Sequence, residues 1–312
     1  MTTVSTGKSW TGLAHDPRIL AGAAAGLVSA LAALWAFRGL PLGTVLFWFS
    51  PAPLFLAGLG FGLPAFLIAL AVAGVTLLVS AQTIAPVAIY LGAYGIPAAL
   101  LLATALRGAT GHLALSMPLA LLGLWPACLV LLAGLLLAGP EGGLEVALRD
   151  AVTLGLTRMG LDAPAELVEQ IVRLKASALA LWLALALAAN AAFAQKVLRR
   201  NGLDPAPATR WSTARLPRWY PGLPALAGLV WLLADPVDDL LPLSVALTLA
   251  VPLLLQGLAA LHTRLPRAKW RGPILVLIYV LLLVFSLPGA IILVALGLVE
   301  QFGRATPPSA NS

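Results

Sequence analysis

The stretch "ALALWLALALAANAAFA", residues 178–194, holds one amide, Asn190, in an otherwise apolar run, and runs like it recur along the chain. Crossing about 30 Å of hydrocarbon takes roughly 20 apolar residues in a helix. A water-soluble fold is excluded by surface chemistry. Of 312 residues 61% are hydrophobic and only 10% charged, with a mean hydropathy of +0.98. That is too little charge to cover a soluble surface. Leu/Ala blocks, rather than short alternating segments, exclude a transmembrane β-barrel. The expected fold is all-α: a polytopic transmembrane helix bundle.

Hydropathy predicts about nine spans, near 19–37, 42–58, 62–80, 83–106, 114–138, 176–195, 221–236, 242–263 and 273–299. An eight-span version leaves 42–58 uncrossed. The chain then divides into a tail (1–18), an N-terminal membrane half (19–138), an extramembrane insertion (139–175), a C-terminal membrane half (176–299) and a tail (300–312). The ending "ATPPSANS" predicts disorder. The first run ends at Phe37–Arg38 with no small-residue cleavage site, as expected of a span rather than a cleaved signal.

Charge predicts orientation. Lys196, Arg199, Arg200, Arg210, Arg215 and Arg218 face Asp204 alone, and Arg264, Arg267, Lys269 and Arg271 face no acid. The positive-inside rule makes loops 196–219 and 264–272 cytoplasmic in a bacterial inner membrane. The turn "DPVDD", with Asp235, Asp238 and Asp239, then faces outward. Counting back through nine spans puts the N-terminus inside and the C-terminus outside. The net charge of +7 is accounted for by these loops and anionic headgroups. No nucleic-acid-binding motif accompanies it.

The stretch "FWFSPAPLFLAGLGFGLP", Phe47 to Pro64, is apolar yet broken by Pro51 and Pro53 and by alternating glycines. Either it is a discontinuous helix whose freed carbonyls face a cavity, or a tight turn between spans. The two can coexist as a kink at the prolines and a turn at Gly58–Gly62. The insertion reads as two amphipathic helices, the second capped by Asp162 with Pro164 in its first turn. There Glu169 and Arg173 form an i,i+4 pair, and Leu167, Ile171 and Leu174 a stripe. That helix can run on into the next span, over 163–199. The insertion lies along the headgroups or covers the mouth of the bundle.

Little points to catalysis. HExxH, GxSxG, an intramembrane pair of acids and a P-loop are all missing. His15, His112 and His262 have no ligand spacing, and Cys128, the single cysteine, can form neither an intrachain disulfide nor a thiolate cluster. The expectation is no enzyme, no cofactor and no metal. Polar and aromatic groups at membrane depth remain, and these tend to face the bundle interior. The candidate cavity takes Ser50, Pro51, Pro53, Tyr90, Tyr94, Trp182, Asn190 and Gln256. Amides and aromatics without fixed charge suit a neutral or weakly polar small molecule. On the first span Ala21, Ala25 and Ser29, like Gly22 and Gly26, are spaced four apart, which lets another helix approach closely.

"FSPAPLFLAGLGFG" (Phe49 to Gly62), "LLQGLAALH" (Leu254 to His262) and "LGLVEQFGR" (Leu296 to Arg304) resemble the YybS-like family of bacterial multi-pass membrane proteins. That family is in turn distantly similar to the substrate-binding subunits of energy-coupling factor transporters. The resemblance implies docking of a coupling transmembrane subunit, with its ATPase, at Ala21 and Ala25. Family members often carry a basic or His residue after the proline motif, and "GLGFG" has none. The transporter subunits have about six spans, so the extra helices here are additional. The leading expectation is a small-molecule binding or transport subunit without its own ATPase. The alternatives are a non-catalytic scaffold or assembly factor and, third, a lipid-acting membrane enzyme.

Overall fold

The computed structural model describes residues 16–106, 113–138, 143–203, 214–235, 239–265 and 270–303. Both chain tails beyond these bounds, His15, His112, Asp238 and the parts 204–213 and 266–269 of the two basic loops lie outside the described residues. Every regular element among the described residues is helical, and seven helices are long and apolar enough to cross a membrane. In hydrocarbon a helix is the one local structure that pairs each backbone donor within its own segment. The helices fall into two compact units, Met1–Ala114 with Leu185–Thr209, and Leu115–Ala184 with Arg210–Ser312. This grouping differs from halves placed before and after the insertion.

In the first unit α1 (Pro17–Phe37) opens on Asp16, whose carboxylate accepts the Arg18 amide at 2.9 Å. Helices α2 (Gly43–Phe49) and α3 (Pro51–Phe61) form one apolar segment of 19 residues interrupted at Ser50. It is long enough to cross, so the 42–58 region keeps its place among the candidate spans. Gly62, at φ +87°, then turns the chain into α4 (Leu63–Ala81). Only glycine adopts that conformation cheaply. Gly22 and Gly26 of α1 face α4. A β-carbon on Gly22 would come within 2.7 Å of the Ala65 carbonyl, and one on Gly26 would overlap that of Ala69. Two of the four predicted docking positions are therefore taken up inside the chain, and Ala21 and Ala25 stay half-buried. Next come α5 (Ile84–Tyr90), a π-helical segment (Leu91–Gly95) and α6 (Ile96–Ala105), which together span 22 residues.

The second unit contains α7 (Ser116–Leu136), α8 (Gly143–Arg158), the first part of α9 (Ala165–Arg200), α10 (Gly222–Leu233) and α11 (Leu240–Arg264). It ends with α12 (Arg271–Val284) and α13 (Ser286–Phe302). Helix α9 runs unbroken for 36 residues, about 54 Å at 1.5 Å per residue, as expected for 163–199. Its first bonds are accepted by the Pro164 carbonyl, two residues past the expected cap at Asp162. Val152 of α8 packs on Val172 of α9 and Leu240 of α11.

Three expectations need correction. Glu169 and Arg173 are not paired with each other: Arg149 of α8 takes Glu169 at 2.7 Å, and Asp239 takes Arg173 at 2.5 Å. An exposed i,i+4 pair is worth only a few tenths of a kcal/mol, so partners brought by other helices displace it. The expected span at 221–236 contains a helix of only 12 residues, about 18 Å, short of the roughly 30 Å core. The expected span at 273–299 is two helices bent by 119°. Pro288 lacks an amide, and its ring would clash with the carbonyl four residues back, at Val284, where α12 ends.

Helices α11 and α13 cross backbone to backbone. A β-carbon on Gly257 would overlap the Leu293 carbonyl, and one on Gly297 would overlap that of Leu253. Past this crossing in both helices, Arg264 pairs with Glu300 at 3.1 Å. An antiparallel pair would separate those two residues by roughly 15 Å along the axis. The two helices therefore run parallel and end together.

Candidate functional site

In the first unit the prolines create the site. Pro51 has no amide for the Phe47 carbonyl and Pro53 none for that of Phe49. Side chains take over around the break. The Ser50 hydroxyl donates to the Phe47 carbonyl at 2.8 Å, and Asn190 Nδ2 donates to that of Trp48 at 2.8 Å and of Ala186 at 2.7 Å. Ser29 Oγ donates to the Ser50 carbonyl at 2.5 Å. A serine has one proton to give, so the Tyr90 hydroxyl, 2.5 Å from Ser29 Oγ, is the donor of that pair. Ser29, Ser50, Tyr90 and Asn190 are fully buried. Asn190 Oδ1 has no hydrogen-bond partner among the described residues. Tyr94, in the π-helical segment, packs against Phe47 with ring centres 4.9 Å apart and planes tilted by 52°.

Ser50, Pro51, Pro53, Tyr90, Tyr94 and Asn190 all lie in the first unit, around the proline break. A break at the prolines and a glycine turn both occur. The carbonyls around the break accept from side chains of α1, α9 and Ser50 itself. Ser29, read from the sequence only as a small residue in the docking stripe, was missed as a polar member of this cluster. A hydroxyl in mid-span was the available signal, since such groups turn toward polar partners in lipid.

Gln256 and Trp182 belong to the second unit and to separate places in it. Trp182 lines a groove of about 640 Å³ along one face of α9, together with Leu167, Ile171, Leu174, Lys175 and Leu179. The stripe expected from Leu167, Ile171 and Leu174 is that face. Gln256 instead completes an amide clamp. Its Oε1 accepts the Leu216 amide at 3.2 Å, and its Nε2 donates to Gln301 Oε1 at 2.9 Å. Gln301 Nε2 in turn donates to the Leu216 carbonyl at 2.8 Å. Both backbone groups of Leu216 are thereby held between α11 and α13. Beside it Tyr220 donates to the Leu249 carbonyl at 2.9 Å, three residues before Pro252. Gly123 leaves room for that phenol, which a β-carbon there would overlap.

At the end of α11, His262 Nδ1 lies 2.8 Å from the Leu258 carbonyl and Nε2 3.1 Å from the Tyr279 hydroxyl. Arg271 donates to the His262 carbonyl at 2.8 Å. Among the described residues no three His, Cys, Asp or Glu side chains gather as a metal site.

The clamp gives a direct expectation. Gln301→Leu removes the donor to the Leu216 carbonyl, a net loss of about 1 kcal/mol. Amide exchange at Leu216, followed by hydrogen–deuterium mass spectrometry, should quicken roughly fivefold. An unchanged rate would show that the clamp does not hold this segment.

A family model described as predicted membrane protein (DUF2232) matches residues 26–300. The chain belongs to this family. The match takes in both helix breaks and every member of the two polar clusters except Gln301. "LLQGLAALH" and "LGLVEQFGR", the second running past the matched residues, meet at the α11–α13 crossing and supply Gln256, Gly257, His262, Gly297, Glu300 and Gln301. No curated protein matches the chain, and no solved structure does. Family membership establishes an integral membrane protein with several apolar helices, in contact with the lipid bilayer.

Proposed function

We propose that this protein binds a small neutral or weakly polar molecule at membrane depth, as a non-enzymatic binding or transport subunit without its own ATPase. The observation that supports the reading is Asn190 Oδ1, a fully buried acceptor without a partner among the described residues. It sits where the proline break meets α9, close to a π-helical segment. Irregular backbone at membrane depth is tolerated where it is buried in protein or lines a cavity, and π-bulges are frequent at functional sites. A single ligand donor would satisfy that oxygen. Likeness to the YybS-like proteins and the energy-coupling factor subunits would make the energy source a coupling subunit docked at Ala21 and Ala25. An inner-membrane location with a cytoplasmic N-terminus belongs to the same proposal.

The second reading is a scaffold or assembly factor. In its favour, Ser29, Ser50, Tyr90 and the Asn190 amide nitrogen already pair with one another or with the break. Native mass spectrometry of the protein in lipid nanodiscs separates the two. The binding reading expects a reproducible small-molecule adduct released on unfolding. Repeatedly empty preparations overturn it and leave the scaffold.

A further inference from the structure

We propose that residues 270–303 form a re-entrant hairpin, entering the bilayer from the side of the basic loop and returning to that same side, with the broad exposed face of α12 against acyl chains. The expectation of one span ending on the far side is thereby replaced.

The parallel course of α11 and α13 carries the inference. Arg264 closes α11 and meets Glu300, near the end of α13, at 3.1 Å. Gln301, one residue further on, reaches Gln256 and Leu216. The chain leaves α11 at one level and arrives back at that level after α12 and α13. A crossing would have left Glu300 a bilayer away from Arg264. Both legs are short. Helix α12 has 14 residues and α13 has 17, about 21 and 25 Å against roughly 30 Å of hydrocarbon. The turn between them is apolar, and it bonds internally. The Phe285 amide donates to the Leu281 carbonyl and the Gly289 amide to that of Phe285, both at 2.8 Å. Such a turn can stay in lipid.

The surroundings of α12 are read from its surface. Val276, Leu277, Val280, Leu281 and Val284 are between 46% and 66% exposed and form one broad apolar face. Ile274 and Tyr279 at its borders are exposed too, and Leu275, Ile278 and Leu282 on the other side are only half-buried. A helix lying along the headgroups needs a polar face, and this one has none. At its entrance stand Arg271 and Trp270, the latter 73% exposed, residue types that anchor at the membrane interface. The loop "RLPRAKWR" brings four positive charges and no acid, which suits anionic headgroups at the point of entry.

Single cysteines test this after Cys128→Ser removes the native thiol. Trp270→Cys and Phe302→Cys should react with a membrane-impermeant maleimide from the same side, opposite Asp235→Cys. Ser286→Cys should be shielded from both sides. Phe302→Cys reacting together with Asp235→Cys would make the pair a crossing span, and Ser286→Cys reacting from the Asp235 side would make it two full crossings. Either result overturns the hairpin. Should a thiol variant fail to fold, alkaline phosphatase and green fluorescent protein fused after Gly303 or inserted at residue 268 decide the matter. The same reporter should be active at both places, and different reporters overturn the proposal. For α12, a fluorophore on Val280→Cys should be quenched by doxyl-labelled lipid. A Val280→Cys disulfide between two copies would replace lipid by a second chain.

Discussion

Gly257→Val should all but eliminate folded protein from detergent extracts. The added side chain would meet the Leu293 carbonyl, and behind it the Gly297 amide nitrogen at 3.1 Å from its first carbon. Backbone cannot rotate away as a side chain can, so the helices must separate. Overpacking costs about 1–3 kcal/mol where side chains yield; here about 3 kcal/mol or more is expected. Total stabilities are only about 5–15 kcal/mol. The loss also unseats Gln256 from Gln301 and Arg264 from Glu300. The control is Gly228→Val on α10, where an added β-carbon meets nothing within 4 Å. Fluorescence-detected gel filtration after graded heating measures both. Equal melting of Gly257→Val and the parent would refute the close crossing.

The second large effect belongs to Asn190→Leu. Leucine keeps the branched shape but is bulkier, so the change removes the donor to the Trp48 carbonyl and adds some overpacking. A buried acceptor left without its partner costs about 1–3 kcal/mol, and in lipid water cannot make good the loss. Asn190→Asp should also lower stability, because the carboxyl must either stay ionised without a proton to donate or be held protonated at a cost in free energy. Tyr90→Phe should cost less, about 1 kcal/mol, since Ser29 still reaches the Ser50 carbonyl. Thermal unfolding should therefore fall furthest for the Asn190 variants. If Tyr90→Phe proved as harmful as Asn190→Leu, the break would not depend on the amide.

Hydropathy made the fold class legible, because every span must be apolar along its length whatever it packs against. The long helix through Asn190 was equally legible, since nothing between Ala165 and Arg200 interrupts it. The inward turn of Tyr90, Asn190 and Gln256 followed from the cost of leaving a polar group in lipid, and each is at most 2% exposed. Their partners were less accessible. Ser29 and Tyr90 lie 61 positions apart, and Gln301 and Leu216 lie 85 apart, so pairing depends on which helices touch. The bend at Phe285–Ser286 was hidden for a different reason. Averaged hydropathy treats "FSLPG" as continuous with its apolar flanks, although Pro288 forbids a continuous helix there. Small-residue spacing on α1 was real, but it does not say whether the close neighbour is another chain. For Gly22 and Gly26 it is α4.

The distance along the chain between Trp48 and Asn190 has a consequence for biosynthesis. The carbonyl emerges from the ribosome 142 residues before its amide, an interval of roughly 7–30 s at 5–20 residues per second. Throughout that time the nascent segment reaches the insertion machinery with its proline break uncapped. Something else must shield it, either water in the translocation channel or a transient chaperone contact. Slowing elongation over the intervening codons should lengthen that exposure and raise the share of chains removed by membrane proteases.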